Sequence, residues 1–157
     1  MDVLDEELLK FWRNLNEHHV KFIMVGGLAT RFHGYNRATD DLDMWIEDTE
    51  ENRRNLRRAF VSLHYGDYPA IETMQFVPGW TSFYAAGIVL DIMTSMKGLE
   101  DVSFADCYQV AEVARVAGVE IRFLHINHLI QNKKKLNRPK DQVDVAYLEK
   151  IKKLLNK

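Results

Sequence analysis

Asp41 and Asp43 stand one residue apart, and a Gly26-Gly27 pair precedes them. In a β-strand alternate side chains share a face. Both carboxylates would then project together, while Leu42 points oppositely into a core. Two ionised carboxylates side by side repel unless a cation lies between them. Hard oxygen donors favour Mg²⁺ or Mn²⁺ for that place. Upstream, the apolar run 22–25 reads as a buried strand, and Gly26 and Gly27 allow a sharp turn with backbone N–H groups close to a ligand. A helix opening at Leu28 would offer its N-terminus to phosphate. A phosphate cradle beside a metal-binding acid pair suits a nucleoside triphosphate with its metal. Taken singly, a Gly-Gly is a turn and an Asp-x-Asp a solvated strand edge. Their order, with apolar strands around both, favours the site.

Other residues fall near this stretch. Arg37 could steady triphosphate charge and Thr39 could orient the start of the acid strand; their plain alternative is an ordinary surface. Asp91 interrupts the β-prone apolar run 88–94. An unpaired charge buried there would be costly, so Asp91 either has a partner or caps a strand end at the surface. Tyr35, Trp45, Trp80 and Tyr84 could each stack on a base, and nothing in the sequence selects one.

The elements that must position these residues follow from periodicity. Leu4, Leu8, Leu9, Phe11, Trp12 and Leu15 recur at helical spacing over 2–16, with Asp2 or Asp5 as N-cap. A short helix is expected over 28–32, ended by Gly34. Asp48-Thr49-Glu50 should cap a helix over 52–64 whose Arg53, Arg54, Arg57 and Arg58 form a solvated face. Strands are expected over 72–77, 83–86 and 88–94, a helical turn over 103–106, and a hairpin of 108–114 with 119–123 around Ala117-Gly118. Two helices, 125–136 and 141–155, finish the chain, with Asp141 able to cap the second or pair with Arg138 or Lys140.

The 157 residues are 46% hydrophobic and 28% charged, as in a soluble globular protein. One domain, 1–157, is expected, with a sheet-containing core over 1–124 and a helical part over 125–157. No apolar run suits a membrane span, and Asp2, Asp5, Glu6 and Glu7 exclude a signal-peptide pattern. A single cysteine, Cys107, rules out an internal disulfide and fits a reducing cytoplasm. The net charge of −2 gives no general attraction to nucleic acid, but from Gln131 onward nine Lys/Arg face three Asp/Glu.

Val25-Gly26-Gly27, His33-Gly34, Arg37-x-Thr39 and Asp41-Leu42-Asp43 together resemble the signature of the nucleotidyltransferase superfamily with the DNA-polymerase-β-like fold. The later Leu129-Ile130-x-x-Lys133 and Arg138-x-Lys140-Asp141-x-x-Asp144 are similar to motifs of its small bacterial branch that includes AbiE-type abortive-infection toxins. The resemblance implies an α/β fold: a small mixed, mainly antiparallel sheet, helices on one side and a C-terminal helical pair. It implies that Asp91 is the third carboxylate, joining Asp41 and Asp43 as general base or metal ligand. Lys133 would reach the phosphates, although Lys134 and Lys135 adjoin it, and Asp141 would belong to the site. The implied reaction moves a nucleoside monophosphate from an NTP, ATP among the candidates, to a hydroxyl of an RNA end, a protein or a small molecule, with pyrophosphate released. The implied setting is a cytoplasmic toxin–antitoxin or phage-defence system with an antitoxin partner. Two other classes compete: a catalytically silent nucleotide- or partner-binding module on the same fold, and an RNA-binding protein using the basic C-terminal helix.

Overall fold

The computed structural model describes residues 1–155. Helix α1 (Glu6–Glu17) leads into strand β1 (Phe22–Val25), helix α2 (Gly26–Phe32), strand β2 (Asp41–Ile46) and helix α3 (Glu50–Ser62). Strands β3 (Ser82–Ala85) and β4 (Ile88–Met93) follow, then α4 (Phe104–Val110), β5 (Glu112–Val116) and β6 (Val119–Phe123). Helices α5 (Ile126–Leu136) and α6 (Pro139–Leu155) end the described chain.

The strands form one mixed sheet in the order β3-β4-β2-β1-β6-β5. Pairs β1–β2, β3–β4 and β5–β6 are antiparallel, and β1–β6 and β2–β4 are parallel. Leu42, Met44 and Ile46 lie on one face of β2 and are wholly buried, as are Leu90 and Ile92 beside them on β4. The opposite face carries Asp41 and Asp43, then Trp45, whose ring meets Phe104 of α4 edge-on at 5.3 Å. That second face is therefore covered at one end and open at the acidic end. Among the described residues no helix is long and apolar enough to cross a membrane.

Local chemistry explains where the sequence expectations shift. Asp5 rather than Asp2 caps α1, accepting from the N–H groups of Glu7 and Leu8. Helix α2 opens at Gly26, not Leu28. The strand expected over 72–77 does not form: a 3-10 turn over Pro69–Glu72 runs into an irregular loop. The Arg53 guanidinium donates to the carbonyls of Ile71 and Met74 at 3.1 and 2.7 Å and lies over the Phe76 ring. Those carbonyls are satisfied by a side chain instead of a neighbouring strand, and Arg53 is a loop anchor as well as a partner of Asp48. Residues expected to open the 108–114 strand belong instead to α4, because Ser103 caps that helix and it runs to Val110. The hairpin turn itself falls at Ala117-Gly118, both at positive φ.

One fixing contact has no local signature. The buried amide of Asn52 accepts from Lys21 N–H at 2.7 Å and donates to the carbonyls of Lys21 and Glu47 at 3.0 and 2.8 Å. It clips the start of β1 to the end of β2. Replacing Asn52 by alanine orphans these groups and is expected to cost about 2–3 kcal/mol, read from urea denaturation. A loss below about 0.5 kcal/mol, the range of ordinary surface changes, would show the clip to be incidental.

Candidate active site

At the end of β1 the backbone of Gly26 takes φ +64, a left-handed conformation suited to glycine. A Cβ there would overlap Asp43 Oδ2 and stand 3.0 Å from its Cγ. A Cβ on Gly27 would stand 2.7 Å from Thr39 Oγ1 and 3.1 Å from an Arg37 guanidinium nitrogen. The two glycines thus make room for three of the side chains singled out in the sequence. The opening N–H groups of α2 have no intrahelical partner, and Val25 offers no side-chain cap for them.

Parallel pairing sets Asp43 directly beside Asp91, with Asp41 two residues along the same face of β2. Burial, then the charge of Asp91, then that of Asp41 raise the Asp43 pKa to about 6, against opposing pulls from Lys133 and Lys140. Asp91 is also raised, by burial and by Asp41, although its Oδ2 accepts from the Gly79 N–H at 2.8 Å. Its Oδ1 is buried and has no protein donor. Among the described residues no three His, Cys, Asp or Glu side chains stand close enough to enclose a cation unaided. Asp43 lies over Gly26, and Asp91 is tied to the Gly79 N–H.

The facing wall is the junction of α5 and α6. Of the three adjacent lysines, Lys133 turns inward, 3% exposed. Lys134 pairs with Glu149 at the surface, and Lys135 is exposed beside Gly98. Lys133 Nζ lies 2.8 Å from Asp144 and 3.8 Å from Asp141. The same Asp144 carboxylate accepts from the Arg37 guanidinium through Oδ2 at 3.1 Å, and its Oδ1 stands 2.9 Å from Arg37 Nε as an ion-pair contact without hydrogen-bond geometry. Asp141 is buried at the third position of α6, where its carboxylate accepts from the Arg138 backbone N–H and guanidinium. Burial alone would raise Asp141, but the Arg138 hydrogen bonds overcome it and hold the carboxyl below its usual range. Asp141 therefore caps α6, which starts at Pro139, and lines neither recess of the cleft.

Two adjoining recesses share Gly26, Asp41, Asp43, Arg138 and Lys140. The smaller, about 220 Å³, is polar and is also lined by Gly27, Arg37, Thr39 and Lys133. The larger, about 670 Å³, adds Asp91, Pro78 and Gly79 together with Val25, Met93, Met96, Asn132 and Leu136. A separate recess of about 610 Å³ opens near the starts of β1 and β6, between Arg13, Lys21 and Arg122, and contains none of the acid cluster. Sequence reasoning put Arg138, Lys140 and Asp144 in the C-terminal motif and offered Arg138 or Lys140 as the partner of Asp141, which Arg138 is, but gave none of the three a place in the cleft. The signal for Asp144 was its i,i+3 spacing from Asp141 on one helix face. Of the aromatic candidates, Trp45 is buried against Phe104 and Tyr35 is stacked on Tyr147 at 4.1 Å, while Trp80 and Tyr84 are exposed.

No protein-family model matches the chain, and no curated protein matches it by sequence. Solved structures do. A candidate nucleotidyltransferase from Thermotoga maritima is 22% identical, with 95% of this chain and 90% of that one covered at TM-score 0.61. The antibiotic-resistance factor ANT(2″)-Ia, in complex with adenylyl-2″-tobramycin, is 17% identical over 93% of this chain and 86% of its own, TM-score 0.57. An antigenic nucleotidyltransferase-like protein from Paracoccidioides brasiliensis is 15% identical over 93% and 76%, TM-score 0.58. The chain has a nucleotidyltransferase-like fold.

Proposed function

We propose that this chain is a metal-dependent nucleotidyltransferase that moves a nucleoside monophosphate from a triphosphate to a hydroxyl acceptor. The observation that carries this reading is the register of Asp43 beside Asp91 on parallel strands, over a glycine whose side chain would fill the same space. The donor set fits a hard divalent cation. It is all carboxylate, one buried oxygen of Asp91 has no protein donor, and mutual repulsion helps raise Asp43. Asp41, Asp43 and Asp91, with oxygens of the bound triphosphate completing the donor set, would hold Mg²⁺ or Mn²⁺, which when bound supplies neutralisation of the charge on the phosphates and on the acceptor oxygen.

The chain's own residues divide the remaining work. Gly26 and Gly27 line the smaller recess, and Arg37, Lys133 and Lys140 set positive charge along it for the triphosphate tail. Thr39 donates to the Asp41 carbonyl at 3.3 Å and supports the start of β2. Asp91 accepts the acceptor's proton as its oxygen bonds to the α-phosphorus. The bond from that phosphorus to the bridging oxygen breaks, and pyrophosphate leaves. Such transfer depends on position and charge more than on covalent help from the protein. The roles of Gly26, Gly27, Arg37, Thr39 and Lys133, and a supporting role for Asp141 through the α6 cap, belong to this proposal. So does a toxin–antitoxin setting with an antitoxin partner, which rests on the Arg138-to-Asp144 motif.

The test incubates α-labelled NTPs and Mg²⁺ with cellular RNA, protein and amino sugars. Label should move to one of these acceptors and should fail to move with Asp91→Asn. Binding of nucleotide without transfer to any acceptor favours the silent module. RNA affinity that falls steeply with salt and ignores Asp41→Ala favours an RNA-binding protein.

A further inference from the structure

We infer that Asn132 selects the nucleobase, and that it prefers an amine at the purine 6-position or the pyrimidine 4-position, as in adenine and cytosine. This rests on the nucleotide reading above and deepens it. Asn132 lies on α5 next to Lys133, yet it lines the larger recess whereas Lys133 lines the smaller. If the triphosphate tail fills the polar recess and the α-phosphorus sits at the acids, the nucleoside extends into the larger one. The walls there include Met93, Met96 and Leu136, apolar surfaces against which a base can lie flat.

The orientation of the Asn132 amide is dictated by what it faces. Nδ2 donates to the Lys97 carbonyl at 2.8 Å. The opposite flip would set two acceptors against each other, so the nitrogen must be on that side. Among the described residues Oδ1 receives no bond, and Asn132, only 4% exposed, lines the larger recess. The turn carrying Lys97 is locked against α5. Gln131 donates to the Gly98 carbonyl at 2.7 Å, and Gly98, at φ +86, has no room for a Cβ: one would lie 2.9 Å from Lys135 Cβ and 3.0 Å from the Gln131 carbonyl oxygen. While the Lys97 bond holds, Asn132 keeps Oδ1 as a fixed acceptor, and its second amide N–H cannot exchange places with it. Adenine N6 and cytosine N4 donate to it; hypoxanthine or guanine O6 and uracil O4 accept, and face it unpaired.

The experiment measures binding of ATP, ITP, CTP and UTP to the intact chain by calorimetry in Mg²⁺. ATP and ITP differ at the 6-position, and CTP and UTP at the 4-position. We expect ATP over ITP, and CTP over UTP, by on the order of tenfold. Asn132→Leu should bring both ratios close to one while the triphosphates still bind. Equal affinities within both pairs in the unmodified protein, or ratios unchanged in a folded Asn132→Leu, overturn the assignment and leave the nucleotide reading standing. Failure of every triphosphate to bind overturns both.

Discussion

Asp43→Asn is expected to cut nucleotidyl transfer by on the order of 10³-fold and, in chelating buffer, to make the protein more stable above pH 6. The two effects have one origin. Asp43 is half-buried beside Asp91 and Asp41, and its folded pKa of about 6 lies above the ordinary 3.8. Between those values the folded chain retains a proton that the unfolded chain has released. Stability therefore falls as pH rises through the window, and the deficit persists above it. Asparagine carries no charge, so the variant escapes the fall. The gap between the two proteins should open from pH 4 to 6 and then stay level, reaching at most about 3 kcal/mol. Urea denaturation across that range, with EDTA present, measures it. An active variant, or one no more stable than the parent at pH 7.5, would mean that Asp43 is an ordinary structural acid.

Asp144→Leu should act in the opposite sense on stability. Asp144 is 1% exposed and is the shared counterion of Arg37 and Lys133. Removing it strands buried positive charge, and breaking such pairs costs about 3–5 kcal/mol. That is a large share of the roughly 5–15 kcal/mol that holds a domain together, so the urea midpoint should drop visibly. The double variant Lys133→Met, Asp144→Leu should recover much of the loss, because apolar residues of similar volume can replace a buried pair. On the proposed function it should not recover nucleotide affinity, because the Lys133 charge is gone. A single variant within about 1 kcal/mol of the parent, inside the range of exposed ion pairs, would place this network among them.

What the sequence made legible has a physical pattern. The acid strand could be read because alternation along β2 and β4 is a short-range signal, and the glycine turn because a positive φ demands a residue type. Asp91 looked anomalous as a lone charge in an apolar run, and it proves to stand beside Asp43 in the sheet. The misread segment, 72–77, failed because Arg53 satisfies its carbonyls from a helix about twenty residues upstream. Asn52 and Asn132 went unnoticed for a similar reason: their partners lie 31 and 35 residues away, and a lone asparagine carries no sign of which backbone it will grip. Asp144 required knowing that Arg37 arrives from 107 residues earlier. The identity of the inward lysine was likewise beyond a run of three, and was settled by how α5 and α6 pack.

The two walls of the cleft come from distant stretches of chain: Asp41, Asp43 and Asp91 from β2 and β4, and Lys133, Arg138 and Lys140 from α5 and the start of α6. A ribosome making this protein exposes the negative half well before the positive one. A domain generally folds as a unit, so the cleft can form only once both walls have emerged. On the proposed function, competence to hold a triphosphate would then wait for α5 and α6, and a chain stopped short of them would carry the acids without the opposing charge.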